Sequence, residues 1–169
     1  TTIYTVTGYA SGCSVMATNT TTIDVNALPT LSIAASNASI CEGQSTDLSV
    51  TGSALSYTWN TTQTSNTITV SPLTTANYTV SGEDANGCLN STSYVVTVNP
   101  LPVINVNNAT VCTGGTATLT ASGATTYTWN RGVNGADLVV SPIATTDYTV
   151  TGTSAFGCVD TETASVTIT

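Results

Sequence analysis

The sequence predicts an all-β chain of tandem β-sandwich repeats, each about 70 residues long and each closed by one disulfide. Three observations predict it. Apolar residues alternate with polar ones along almost every segment, the period of a strand with one buried face. Turn-forming pairs interrupt that alternation at short intervals. Whole phrases of sequence return about 70 residues further on.

The returning phrases define the units. TTANYTVSG (74–82) recurs as TTDYTVTG (145–152) and, at the start, as TTIYTVTG (1–8). SYTWN (56–60) recurs as TYTWN (126–130), VSPL (70–73) as VSPI (140–143), and NALPTL (26–31) as NPLPVI (99–104). Trp59 and Trp129 lie 70 residues apart, Tyr78 and Tyr148 also 70, Cys41 and Cys112 71. The chain therefore parses as the C-terminal part of one repeat (1–29) and two full repeats (30–100 and 101–169). A start on the last third of a repeat, with no initiating Met or leader, is expected of a mature segment of something longer.

Within each full repeat the alternating pairs mark the strands in order. In the first they are Leu48 and Val50, Tyr57 and Trp59, Ile68 and Val70, Tyr78 and Val80, then Tyr94, Val96 and Val98. In the second they are Leu119 and Ala121, Tyr127 and Trp129, Leu138 and Val140, Tyr148 and Val150, then Ala164, Val166 and Ile168. Thr and Val dominate, and both suit a pleated surface. Glu42-Gly43, Thr51-Gly52, Ser71-Pro72 and Asn86-Gly87 mark turns. About seven short strands per unit, with a Trp strand followed by a Tyr strand, make the expected sandwich immunoglobulin-like. Tyr78 and Tyr148 open the sixth strand, where a tyrosine corner would sit. Trp59 and Trp129 share the inward phase of Tyr57 and Tyr127, which reads as core rather than as sugar-stacking surface.

The chain holds five cysteines. Each full repeat has two, Cys41 with Cys88 and Cys112 with Cys158, and bridges within each repeat are expected. Cys13 occupies the place of Cys88 and Cys158 in the same Gly-Cys pair, so its partner is expected upstream of residue 1. Bridges imply an oxidising compartment. No CxxC pair or histidine accompanies these cysteines, which argues against a metal. Glu83, Asp84 and Asn86 resemble part of a calcium loop; the other copies lack the acids, so a solvated turn is the expected role.

Composition excludes several functions. Charged residues are only 6% of the chain, against a typical quarter. Arg131 is the one basic side chain, His and Lys are absent, and the net charge is -8. Nucleic-acid binding and attraction to anionic lipid need more cations than this. Histidine catalysis, lysine Schiff bases and Lys–Asn isopeptide staples are impossible. The many Ser and Thr have no base to activate them, and the scattered acids Asp47, Asp137, Asp147 and Asp160 show no glycosidase spacing. No apolar run approaches the ~18 residues of a membrane span. A 40% hydrophobic content and a mean hydropathy of +0.21 favour a folded chain over a disordered one. No cofactor is implied.

YTW (57–59), then VSP with TT and YTV, a Gly-Cys turn and a last strand bearing VTV (96–98) together resemble the immunoglobulin-like and PKD-like tandem repeats of large Bacteroidota cell-surface proteins, the gliding-motility-associated adhesins exported by the type IX route among them. PKD domains proper carry W-x-F-G-D-G, where this chain has WNTTQT (59–64) and WNRGVN (129–134). That departure favours the looser immunoglobulin-like label. The resemblance implies a non-enzymatic structural segment of a secreted adhesin, stalk or filament at the cell surface. Its expected partners are neighbouring repeats, identical subunits in a fibre, or surface glycans. The rival readings are a fibre subunit joined by strand complementation and a carbohydrate-binding accessory module of a secreted enzyme. Phe156 and Tyr9, unrepeated aromatics at hairpin tips, are candidate contact residues. The Pro-bearing joints Asn26–Pro29 and Asn99–Pro102 should be short and semi-rigid, with Leu28 and Leu101 available for packing there. Sequons at Asn19, Asn37, Asn60, Asn77, Asn90 and Asn108 are as frequent as the Asn and Thr content makes them.

Overall fold

A computed structural model describes residues 1–12 and 16–169. Cys13 lies outside the described residues. The described chain is all β. Two strands, β1 (Thr2–Tyr9) and β2 (Met16–Ile23), form an antiparallel hairpin in which Thr2 faces Ile23 and Tyr9 faces Met16. Both of its faces are exposed, including Ile3, Val6 and Ile23.

Seven strands follow within 30–100: β3 (Leu31–Ala35), β4 (Ser39–Cys41), β5 (Thr46–Gly52), β6 (Ser56–Trp59), β7 (Thr67–Val70), β8 (Ala76–Glu83) and β9 (Leu89–Asn99). They divide into a sheet of order β3-β5-β7 and a sheet of order β4-β9-β8-β6. Seven more follow within 101–169: β10 (Asn105–Val106), β11 (Ala109–Val111), β12 (Ala117–Ser122), β13 (Thr126–Trp129), β14 (Asp137–Val140), β15 (Thr146–Thr153) and β16 (Val159–Ile168). Their sheets run β10-β12-β14 and β11-β16-β15-β13, the same order again. Most pairings are antiparallel, as short turns dictate. One per repeat is not. The short second strand lies parallel to the long last one, Ser39 opposite Thr97 and Ala109 opposite Val166.

The contacts gather the chain into two compact units. One holds Thr1–Ala35, Leu48–Ile68 and Tyr78–Tyr94; the other holds Ser36–Asp47, Thr69–Asn77 and Val95–Thr169. In the first unit Leu48, Val50, Trp59, Ile68 and Val80 are buried. In the second, Ala117, Leu119, Ala121, Trp129, Leu138, Tyr148, Val150, Ala164 and Val166 form the apolar cluster, with Ile104 at its margin. The alternation written in β12 and β15 is thus the pattern of their burial. Thr46 is buried and polar, and its Oγ1 is satisfied by Asn37 N–H, Asn37 C=O and Ser36 Oγ.

Two glycines of the second repeat are fixed by close approach. Gly123 has φ 99°, and a Cβ there would meet the Val103 carbonyl oxygen at 1.8 Å. Gly152, near the end of β15, leaves room for Ile104 and Ala124, which a Cβ would meet at 2.2 and 2.8 Å. At the joints the prolines Pro29 and Pro102 are the buried residues, while Leu28 and Leu101 stay exposed.

Candidate functional site: the cysteine-bridged joint

Two kinds of cysteine position recur in the fold. The first closes the short parallel strand. Cys41 ends β4 opposite Asn99, the last residue of β9. Cys112 follows β11, whose Val111 lies opposite Ile168 at the end of β16. In each copy the carbonyl of the cysteine accepts from an N–H in the next turn, Gln44 at 3.0 Å and Gly115 at 2.8 Å.

The second kind lies at a hairpin tip, just before the last strand begins. Cys88 precedes β9 and Cys158 precedes β16. The two tips are built alike. Asp84 N–H donates to the Cys88 carbonyl and Ser154 N–H to the Cys158 carbonyl. Gly87 and Gly157 turn the corner at φ 76° and 79°. A side-chain oxygen two residues before each tip accepts the tip N–H groups. Asp84 Oδ1 accepts from Asn86 and Cys88 at 2.8 and 2.9 Å. Ser154 Oγ accepts from Phe156 and Cys158 at 3.3 and 3.2 Å. The acid that resembled a calcium ligand is therefore the cap of a turn, a role that Ser fills in the other copy. Among the described residues no group of three or more His, Cys, Asp or Glu is placed to hold a metal.

The bridge joins one position of each kind, and it crosses between repeats. Cys41 is bonded to Cys158, with their Cα atoms 5.6 Å apart and 117 residues between them in sequence. Both belong to the same compact unit. The Cys158 side is 1% exposed. Cys88 and Cys112 are free thiols, half-buried and exposed respectively.

This overturns the expected pairings Cys41–Cys88 and Cys112–Cys158, and with them the expectation of one closed loop inside each repeat. The reason is geometric. Within a repeat the two cysteines stand at opposite ends of the long last strand, β9 or β16. At ~3.3 Å per residue that strand separates them by roughly 35 Å. A disulfide needs Cα atoms within about 7 Å.

The remaining candidates are placed by their own strands and turns. Trp59 ends β6 and Trp129 ends β13; they are 2% and 1% exposed. Their Nε1 atoms donate to the carbonyls of Ser65 (2.9 Å) and Gly135 (3.1 Å). Tyr148 is buried, whereas Tyr78 is half-buried. Loss of water around Tyr78 raises its phenol above the ordinary value of 10.0. The Arg131 guanidinium carbon lies 5.1 Å from the centre of the Tyr148 ring. Beside it is a hollow of about 470 Å³ lined by Val133, Leu138, Val140 and Ile143 among others, with no carboxylate in its wall. Phe156 and Tyr9 project at their hairpin tips, 68% and 76% exposed. Asp47 and Asp137 accept from the hydroxyls of Thr69 (2.6 Å) and Thr120 (2.7 Å).

No protein-family model and no curated protein matches the chain. Solved structures do. The N-terminal eight immunoglobulin domains of Down Syndrome Cell Adhesion Molecule isoform 1.30.30 match 99% of this chain and 28% of their own, at TM-score 0.52 and 16% identity. Three N-terminal domains of the highly immunogenic outer capsid protein of bacteriophage RB49 match 83% of this chain and 59% of theirs, at TM-score 0.46 and 19% identity. A 1.5-MDa bacterial ice-binding adhesin matches 91% of this chain and 70% of its own, at TM-score 0.44 and 16% identity. The chain thus spans less than two thirds of the first two. The fold these strands define is the immunoglobulin-like β-sandwich.

Proposed function

We propose that this chain is a structural spacer of a secreted surface adhesin, stalk or filament, with the repeats 30–100 and 101–169 as its beads. Residues 1–29 carry the closing phrase of the same repeat. The Cys41–Cys158 bond carries the reading, because it fastens one repeat to the next. A bond inside a repeat would protect that repeat alone. A bond across the joint limits bending and carries load past it. The absence of His removes the commonest general base, and the absence of Lys removes amine catalysis, which supports a non-enzymatic role. The bond also supports an extracellular setting. The motif resemblance supports a bacterial surface protein of the Bacteroidota type, and the first-named match above is a cell adhesion molecule.

Single-molecule pulling from the two ends tests this. The bridge locks 117 residues. At ~3.6 Å per residue, reduction should lengthen the fully unfolded chain by about 400 Å in one step. Two separate releases of less than half that length would show that each repeat carries its own loop, and would remove the spacer reading's mechanical basis.

The hairpin β1–β2 favours the fibre as a second reading. It exposes Ile3, Val6 and Ile23, and a two-stranded ribbon is marginal alone. Strands from another subunit would cover it. The carbohydrate-module reading has less support, since Trp59 and Trp129 offer no open face for a sugar ring.

A further inference from the structure

We propose that Cys112 and Cys88 are the two halves of further joint bridges, and that each is built to bond a repeat of this same kind. Cys112 would take the Gly-Cys tip of a repeat placed after 101–169. Cys88 would take the strand-closing cysteine of a repeat placed before 30–100. The proposal rests on the joint bridge described above and extends it to a rule of assembly.

The observations that carry it are pairwise. Cys112 occupies the place of Cys41: it closes a parallel strand against the end of the last strand, and its carbonyl accepts from the following turn. Cys88 occupies the place of Cys158: both follow a left-handed glycine, and both tips are capped by an oxygen of the residue at the turn's start. One member of each kind is already bonded, and to a member of the other kind. The two left over are the strand-closing cysteine of the later repeat and the tip cysteine of the earlier one, the two that face outward along the series. Neither can reach its partner within its own repeat, for the reason of length given above. Cys112 is exposed, so a tip can approach it.

Bond formation balances simply. Two thiols lose two protons and two electrons as the S–S bond forms. The electrons pass to a disulfide oxidant of the glutathione class, whose own S–S bond breaks into two thiols.

The test extends the full chain: residues 100–169 are repeated after Thr169, which keeps the natural Pro-bearing joint. The protein is refolded in a mixed reduced and oxidised glutathione buffer and digested with pepsin without reduction. The expected map shows Cys112 joined to the Gly-Cys cysteine of the appended copy, beside an intact Cys41–Cys158 bond. Cys112 found free, with Cys41–Cys158 present, overturns the proposal and leaves the joint bridge standing. Cys41 or Cys158 joined to a cysteine of its own repeat overturns both. Thiol titration gives an independent readout. Cys112→Ser in the extended chain should raise the count of free thiols by one, because the partner is released. A fall of one means that Cys112 was free, and contradicts the proposal.

Discussion

Cys112 and Cys158 belong to one sequence repeat yet stand at opposite ends of β16, while Cys158 reaches Cys41 of the repeat before. That relationship replaces a staple inside one sequence repeat with a bond between two sequence repeats. It also fixes what each cysteine should contribute to stability.

Cys41→Ser and Cys158→Ser should therefore cost the same. A closed loop of 117 residues stabilises by about 5 kcal/mol on the chain-entropy model. Cys112→Ser should leave stability unchanged, and so should Cys88→Ser. Denaturant unfolding of the four variants measures this. A large loss from Cys112→Ser, with none from Cys41→Ser, would be incompatible with the clasp.

Trp129→Ala should destabilise the second repeat by roughly 3–5 kcal/mol, the cost of emptying a large buried site. The indole is 1% exposed, and the Gly135 carbonyl would lose its donor. Chemical denaturation with tryptophan fluorescence of the remaining Trp59 reports whether the first repeat unfolds at the same point.

Gly152→Ala should destabilise by about 1–3 kcal/mol through overpacking, because the new methyl would lie 2.2 Å from Ile104 Cδ1. The double variant with Ile104→Val removes that atom and should recover part of the loss. If the double variant is no more stable than Gly152→Ala alone, the crowding is not the cause. Thermal unfolding is sufficient to read both.

Alkaline pH should weaken the fold through Tyr78. Burial raises its folded-state pKa above the unfolded value of 10.0. Stability from this group is then full below pH 10.0 and is lost as pH rises through the folded pKa, since the unfolded chain gives up the proton first. Tyr78→Phe should lose less stability than the parent between pH 10 and the alkaline unfolding point. Equal losses would show that Tyr78 does not titrate across unfolding.

Much of this was legible in the residues. Alternation placed Leu48, Trp59, Val80, Leu119, Trp129 and Val150 inside, because a half-buried strand writes its burial with period two. The phrase repeats anticipated the recurrence of one strand order, and the turn pairs anticipated the many short strands. The cysteine partners were not legible. Spacing alone leaves connectivity open, and the deciding fact is the parallel register of β4 on β9 and of β11 on β16. A three-residue strand carries too little pattern to announce a parallel partner more than fifty residues away. Asp84 was expected in a turn, but its capping contacts there were not legible, because a turn cap and a fragment of a calcium loop draw on the same residue types. Leu28 and Leu101 looked like joint packing by hydropathy, yet the ring of proline, already fixed in φ, takes the buried place at each joint.

The most direct test of the clasp is a disulfide map of the 169-residue chain, digested with pepsin at low pH without reduction. Trypsin would be a poor choice, since Arg131 is the one basic residue. The expected map holds a peptide pair joining Cys41 to Cys158, with Cys88 and Cys112 recovered as thiols. Pairs joining Cys41 to Cys88 and Cys112 to Cys158 would contradict it.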